Sequence, residues 1–445
     1  MAHSQICSRC VMDSSAENFV LTSTGCNYCD DFKAKQDNHQ NLSLDIKNDE
    51  FRLIEFAAEV KSRKPRDSKY DCIVGLSGGL DSVFSLHLAT KSGLDVLAVH
   101  MDNGWNSNLA QANIENIVTK TSTKLITNVI SWPEYRDLQK AFFAADVLDI
   151  EMLYDQAVYG TLFRVARENN VQTIIAGTNQ ATEGFAMPRN FAYSNKLDST
   201  NILDIWNKYG SKRSISTYPF YSMFDNIFDM YGRGIRWASI LDTISYSKSE
   251  AVKILTNEYG FIPYPYKHYE SFFTRFYQGY LLPHKFGVDK RKVHFSNLIM
   301  SKDLSREEAL KLLEENPYHT DSTLEDDITY FLKKMGFTRG DLTDYLMRSP
   351  VLHSQFKSDQ NLLDFYHKVF KVIRYMNKYV LRLILPVIPC VNKRSSAKKE
   401  GLMTSSIEER GFVKELGARI FIVLTLWKRL SLKRKYFLVS QKSIK

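Results

Sequence analysis

Residues 71–82 read DCIVGLSGGLDS, and this stretch decides the fold. Asp71 to Leu76 is an apolar run of strand length, Ser77 to Gly79 is a turn, and a helical pattern begins near Val83. Outward from it, apolar runs recur at 95–101 (DVLAVHM), 125–130 (LITNVI) and 171–177 (VQTIIAG), with helical patterns near 83–91, 109–121, 134–146 and 151–169. The alternation predicts an α/β fold, a doubly wound, mostly parallel sheet covered by helices on both faces. Ligands of such sheets sit beyond the carboxyl ends of the strands, so functional residues are expected directly after 76, 101 and 177.

The first of these places carries Ser77, Gly78, Gly79, Asp81 and Ser82. Two glycines let successive backbone N–H groups face one point, the helix start adds partial positive charge, and the two serines offer hydroxyls to phosphate oxygens. Asp81 is suited to holding Mg²⁺ beside the same phosphates. A complete SGGxDS between a strand and a helix resembles the PP-loop of ATP pyrophosphatases, with their adenine nucleotide alpha hydrolase-like fold, which cleave ATP between its α- and β-phosphates. The terminal Gly-Lys-Ser/Thr of a P-loop kinase is missing. After the second strand, His100, Asp102, Asn103 and Gly104 stand where this class holds adenosine, although His100 also reads as a satisfied strand-end histidine. After the fourth, Gly177, Asn179 and Glu183 either face the pyrophosphate and its magnesium or cap the next helix.

Four of the six cysteines, Cys7, Cys10, Cys26 and Cys29, form two CxxC pairs 15 residues apart, the spacing of a closed, structural Zn²⁺ site. The formal charge of +9 is concentrated: residues 381–445 hold 15 of the 59 basic and 4 of the 50 acidic residues, which leaves 44 against 46 in the first 380. The body of the chain is therefore no basic nucleic-acid binder. There is no signal-like start and no uncharged run of about 18 residues, so a cytoplasmic protein is expected. The segments read as a zinc-binding head (1–40), a nucleotide domain (45–260), a mixed, mostly helical substrate region (261–380) and a basic tail (381–445). Capping-box patterns from Ser247 to Glu250 and from Ser305 to Glu308 place helices at about 248–258 and 306–315.

Taken with CSRCVMD (7–13), DNGWNS (102–107), KHYESFFTRFYQ (267–278), PHKFGVDKRKVHFS (283–296) and REEA (306–309), these motifs look like the N-acetyl sugar amidotransferase family, the group of WbpG and PseA. The resemblance runs from Cys7 to about residue 350. It implies that ATP adenylylates the acetamido oxygen of a nucleotide-linked N-acetyl sugar and that ammonia then displaces AMP, giving an acetamidino sugar for surface polysaccharide such as LPS O-antigen. It further implies a separate glutaminase subunit and a cyclase-like subunit to supply the ammonia. No glutaminase nucleophile is apparent, since the chain starts Met1-Ala2, four cysteines are assigned to zinc, Cys72 lies in the first strand and Cys390 in the tail. Besides Asp81, the cations Lys267, Arg275, Lys290 and Arg291 are candidates for holding the leaving pyrophosphate, and each also reads as a surface charge. Tyr264, Tyr266 and Tyr269 are candidates for stacking or for packing. The tail departs from the family pattern, and its run GARIFIVLTLW (417–427) before a basic cluster suits either an anionic membrane surface or a protein partner. The rival is a tRNA-thiolating PP-loop enzyme, disfavoured by the neutral body and by the lack of reactive cysteines beyond Cys29.

Overall fold

The computed structural model describes residues 5–40, 49–211, 213–264, 269–318, 320–366 and 368. Its centre is a five-stranded, all-parallel sheet of β3 (Cys72–Gly75), β4 (Val96–Asp102), β5 (Lys124–Val129), β6 (Thr173–Ala176) and β7 (Arg236–Ser239) in the order β5-β4-β3-β6-β7. The four strands expected from the apolar runs all form. The fifth, β7, was not anticipated: Arg-Trp-Ala-Ser on the sheet edge lacks the apolar run of a buried strand. A smaller antiparallel pair, β1 (Leu21–Thr22) and β2 (Gly25–Cys26), belongs to the head.

Helices alternate with these strands as expected of parallel pairing, which needs a crossover for each return. They are α1 (Asn27–Gln40), α2 (Asp49–Ser62), α3 (Leu80–Lys91), α4 (Asn108–Thr121), α5 (Trp132–Ala144), α6 (Met152–Glu168), the short α7 (Gln180–Glu183), α8 (Ser199–Tyr209), α9 (Met223–Ile227) and α10 (Lys248–Tyr259). The pleat of β3 separates the two layers. Cys72, Val74 and Leu76 join an apolar cluster with α3, α4 and α10, whereas Gly75 faces the other way and abuts Leu162 of α6. Running β3→β4→β5 to one side and then β6→β7 to the other, the chain reverses direction at the β3/β6 boundary, and a crevice opens beyond the carboxyl ends of those two strands.

The C-terminal region holds α11 (Phe272–Phe276), a π-helical stretch at Tyr277–Phe286, α12 (Arg291–Met300), α13 (Arg306–Glu314), α14 (Asp321–Met335) and α15 (Arg339–Met347). Ser305 caps α13 through the Glu308 amide as expected. Helix α10 also starts where predicted, yet Ser247 does not cap it; its hydroxyl pairs with that of Ser249 at 3.1 Å. An aromatic cluster joins this region to the loop after β4: Trp105 stacks on Phe272 with centroids 5.6 Å apart, and Phe331 lies 4.7 Å from Phe276.

The chain divides into two compact units. Residues 1–221 and 235–358 form the first, which contains the head, the sheet and the helices up to α15 other than α9. The second comprises 222–234 and 359–445, of which the described part holds α9 running into a π-helical turn, with Arg233 paired to the buried Asp229. Lys267, Tyr266, Cys390 and the tail from 381 lie outside the described residues. Among the described residues no helix is long and apolar enough to cross a membrane.

Candidate functional site

The SGGLDS loop leaves β3 at the reversal point and enters α3. Gly78 turns it with φ +85°, and a Cβ there would meet the Ala110 backbone oxygen of α4 at 2.6 Å, so only glycine fits. Both serine hydroxyls shape the loop. Ser82 Oγ accepts from the Ser77 amide at 3.1 Å and donates to the Gly79 carbonyl at 2.9 Å, and Ser77 Oγ accepts from the Gly79 amide at 3.3 Å. Gly79 is the N-cap of α3 and brings no capping side chain, which leaves the first-turn amides of a 12-residue helix to an external acceptor. This is the chemistry a phosphate requires.

The loop after β6 closes on it. A Cβ on Gly177 would lie 2.7 Å from the Ser82 amide nitrogen, so the two loops are in backbone contact. Asn179 is buried and caps α7 by accepting from the Thr182 amide at 2.8 Å; Glu183 at the end of that helix is exposed. On the β4 side, His100 is buried, with Nδ1 2.7 Å from the Leu76 carbonyl and Nε2 2.9 Å from the Asn106 amide nitrogen. Burial holds it below the ordinary imidazole value, so the neutral ring donates to the carbonyl and accepts from Asn106. Asp102 accepts from the Gly104 amide at 2.7 Å and from Asn106 at 3.1 Å. His100 and Asp102 thus brace the turn that faces the crevice.

Three residues around the loop had no strong sequence signal. Tyr246 donates to the Asp81 carboxylate, and burial and then that carboxylate push its own pKa far up. Tyr264 donates to the Gly78 carbonyl at 2.7 Å. Glu270 has its carboxyl carbon 4.0 Å from the position of a Gly79 Cβ, while its carbonyl accepts from the Ser107 amide at 2.9 Å. The bridge Asn106–Ser271 places DNGWNS and YESFF side by side. Among the described residues only the cysteines form a cluster of three or more metal-ligating side chains, so magnesium here would rest on Asp81 and the phosphates themselves, the usual habit of that ion.

Among the described residues the candidate cations, Arg275, Lys290 and Arg291, already have partners. Arg275 makes a bidentate pair with Asp327 of α14, at 2.8 and 2.6 Å. Arg291 pairs with Asp289 and donates to the Leu312 and Glu315 carbonyls, closing the end of α13. Lys290 reaches Glu151 at 2.8 Å.

In the head, the four sulfurs lie within 4.8 Å of one another, with Cys7–Cys29, Cys10–Cys26 and Cys26–Cys29 at 3.9, 3.8 and 3.7 Å. A tetrahedral zinc with Zn–S bonds of about 2.3 Å needs sulfurs about 3.8 Å apart, so the cluster fits zinc. The amides of Arg9 and Met12 donate to Cys7 and Cys10 sulfurs at 3.3 and 3.4 Å, as suits thiolates. Contacts with Cys10 and then Cys29 pull the Cys26 thiol well down; the contact with Cys26 pushes Cys10 up, and those with Cys10 and then Cys26 push Cys29 up. Arg306 of α13 donates to the Cys7 and Cys10 carbonyls at 2.8 and 3.1 Å, tying the head to the C-terminal region. Cys72 is fully buried, and burial pushes its thiol up, away from nucleophile chemistry.

Over 98 residues the chain is 31% identical to the tRNA(Ile)-lysidine synthase of Chlamydia pneumoniae, spanning 22% of this chain and 29% of that protein. NMN synthetase from Francisella tularensis is matched at 16% identity over 50% of this chain and 99% of that one, with a TM-score of 0.26. The NH3-dependent NAD synthetase of Campylobacter jejuni is matched at 14% over 48% and 85%, with a TM-score of 0.27. TM-scores at this level carry no argument. Residues 270–373 match the family described as LPS biosynthesis protein WbpG-like, C-terminal domain. This segment, similar to the C-terminal domain of WbpG-like proteins, follows a parallel sheet that carries SGGLDS at the end of its central strand.

Proposed function

We propose that the protein is an ATP-dependent amidotransferase that turns the acetamido group of a nucleotide-linked N-acetyl sugar into an acetamidino group. The observation that carries this reading is the WbpG-like domain at 270–373, whose first residues, Glu270 to Phe273, are seated on the loop after β4 beside SGGLDS. In this reading the acetamido oxygen attacks the α-phosphorus, the bond to the β-phosphate oxygen breaks, and pyrophosphate leaves into the first-turn amides of α3. The activated carbon then carries AMP as its leaving group, which an amide oxygen by itself is not. Asp81, oriented by Tyr246, would hold the magnesium that screens the pyrophosphate. The head would hold one structural Zn²⁺.

The local likeness to a tRNA(Ile)-lysidine synthase gives a second reading, activation of a tRNA base. One experiment separates them. The protein is incubated with ATP, ammonium salt at high pH, and either UDP- and CMP-linked N-acetyl sugars or tRNA. AMP and pyrophosphate released only with a sugar support the proposal, and release only with tRNA overturns it. We also propose that the ammonia comes from a separate glutaminase subunit, so glutamine should not replace ammonium for the purified chain.

A further inference from the structure

Helix α6 lies between β5 and β6 in sequence and runs antiparallel to the strands, so its first turn stands at the same end of the sheet as SGGLDS. That turn carries Asp155. Lys196 bridges Asp155, at 3.2 Å, and Asp149, which also accepts from the Met152 and Tyr193 amides at 3.1 and 2.8 Å. Glu151 beside them takes Lys290 and Gln278. Three carboxylates therefore share two lysines. Asp149 is sealed at 1% exposure with a full set of donors, whereas Asp155 keeps 37% of its side chain open and is the carboxylate left over.

Asp155 is only part-exposed, and its surroundings are crowded with other polar groups. Burial raises the Asp155 carboxyl above its ordinary value; Lys196 opposes this and Asp149 and Glu151 add to it. Its charge in turn helps to raise Tyr135 of α5, Tyr159 of α6 and Tyr218, each lifted first by burial. Tyr154 is raised by burial, then by Glu270 and by Asp155, so one hydroxyl feels both the carboxylate beside Gly79 and the one on α6. Each member of the pair also has a chain neighbour with an unmet hydrogen-bonding need: Gln156 is fully buried with neither amide atom partnered, and Asn195, 3% exposed, has a free Nδ2. Buried amides left so are costly and point to a polar ligand.

Resting on the amidation reading, we propose that the Asp155–Lys196 pair lines the acceptor pocket and that Asp155 takes the proton which ammonia sheds on attacking the activated acetamido carbon. The C–N bond forms from the ammonia lone pair, the –NH₃⁺ of the adduct gives one proton to the Asp155 carboxylate, and the C–O bond breaks with its electron pair going to AMP. The product is the amidinium. Lys196 positions the carboxylate without entering the chemistry.

The test compares wild type, Asp155→Asn and Asp155→Glu in two assays with UDP- and CMP-linked N-acetyl sugars: sugar-dependent exchange of labelled pyrophosphate into ATP, and amidine formation. Asp155→Asn is expected to keep the exchange and to lose about 10²-fold or more in amidine formation with ammonia, the scale of a general base. Asp155→Glu should recover part of it. Hydroxylamine, whose adduct sheds its proton more readily, should narrow the gap between Asp155→Asn and wild type. Equal loss of both assays, or full ammonia turnover in Asp155→Asn, overturns the assignment alone. A wild-type chain that exchanges no pyrophosphate with any N-acetyl sugar overturns the amidation reading and this assignment with it.

Discussion

Replacing Gly78 with alanine should reveal how tightly the phosphate loop is built. Holding an L-residue at φ +85° costs about 1–2 kcal/mol. The added methyl would also press on the Ala110 oxygen, Cα and Cβ at 2.6, 2.9 and 2.9 Å, all closer than a Cβ ordinarily comes. Two of those atoms are α4 backbone and cannot swing aside, so overpacking adds about 1–3 kcal/mol. The total of about 2–5 kcal/mol has two outlets. If the loop keeps its shape, stability falls by that amount, a drop in Tm of about 4–10 °C at roughly 2 °C per kcal/mol. If the loop relaxes, restoring its shape on binding weakens ATP by about 30-fold to several thousand-fold. Calorimetric melting and titration with a non-hydrolysable ATP analogue read both outlets on one sample. Gly79→Ala is the control for stability: a Cβ there meets nothing nearer than Ser77 Oγ at 3.4 Å, and stability should fall by no more than about 1 kcal/mol. A Gly78→Ala protein with wild-type melting and wild-type ATP affinity would refute the turn and its contact with α4.

Asp81→Asn should cost at least about 10²-fold in turnover with melting unchanged, and wild type should yield AMP and pyrophosphate; ADP and phosphate as products would remove the PP-loop reading. Arg275→Met should destabilise by about 3–5 kcal/mol, because it strands Asp327 in a partly buried site; a fall in turnover with no loss of Tm would instead place the guanidinium on the pyrophosphate. Metal analysis should return one Zn²⁺ per chain, and Cys26→Ser should lower Tm before it lowers turnover; a metal-free protein with full stability would show that the four sulfurs hold nothing.

Most of the parallel sheet and its helices was legible in the sequence because the signals are local. An apolar run, a pair of glycines and a helical period lie within a dozen residues at DCIVGLSGGLDS, and the structure keeps them in that order. What the sequence could not supply was partnership. Arg275 reads as a cation in any setting, and only the fold shows that Asp327, 52 residues on, holds it in two hydrogen bonds. Tyr246 reads as one tyrosine among 24, yet its hydroxyl is aimed at Asp81 from 165 residues away. Asp155 is similar: its weight comes from Lys196 and from a neighbouring loop, neither of which any spacing in the chain announces. The edge strand β7 escaped because strand periodicity needs apolar residues to register, and Arg236–Ser239 offers few.

The hydrogen bonds from Arg306 to the carbonyls of Cys7 and Cys10 join residues 299 and 296 positions apart. For biogenesis this means that all four cysteines leave the ribosome long before their docking partner has been translated. Chains usually fold domain by domain as they emerge, at about 5–20 residues per second, so some tens of seconds pass during which the knuckle has no seat. Over that interval its fold would rest on the Zn²⁺ proposed for the four cysteines, and the apolar side of Met12 and Phe32 stays uncovered until the later helices arrive. Scarcity of metal would then be felt during synthesis, as nascent chains lost to aggregation, more than in protein already folded.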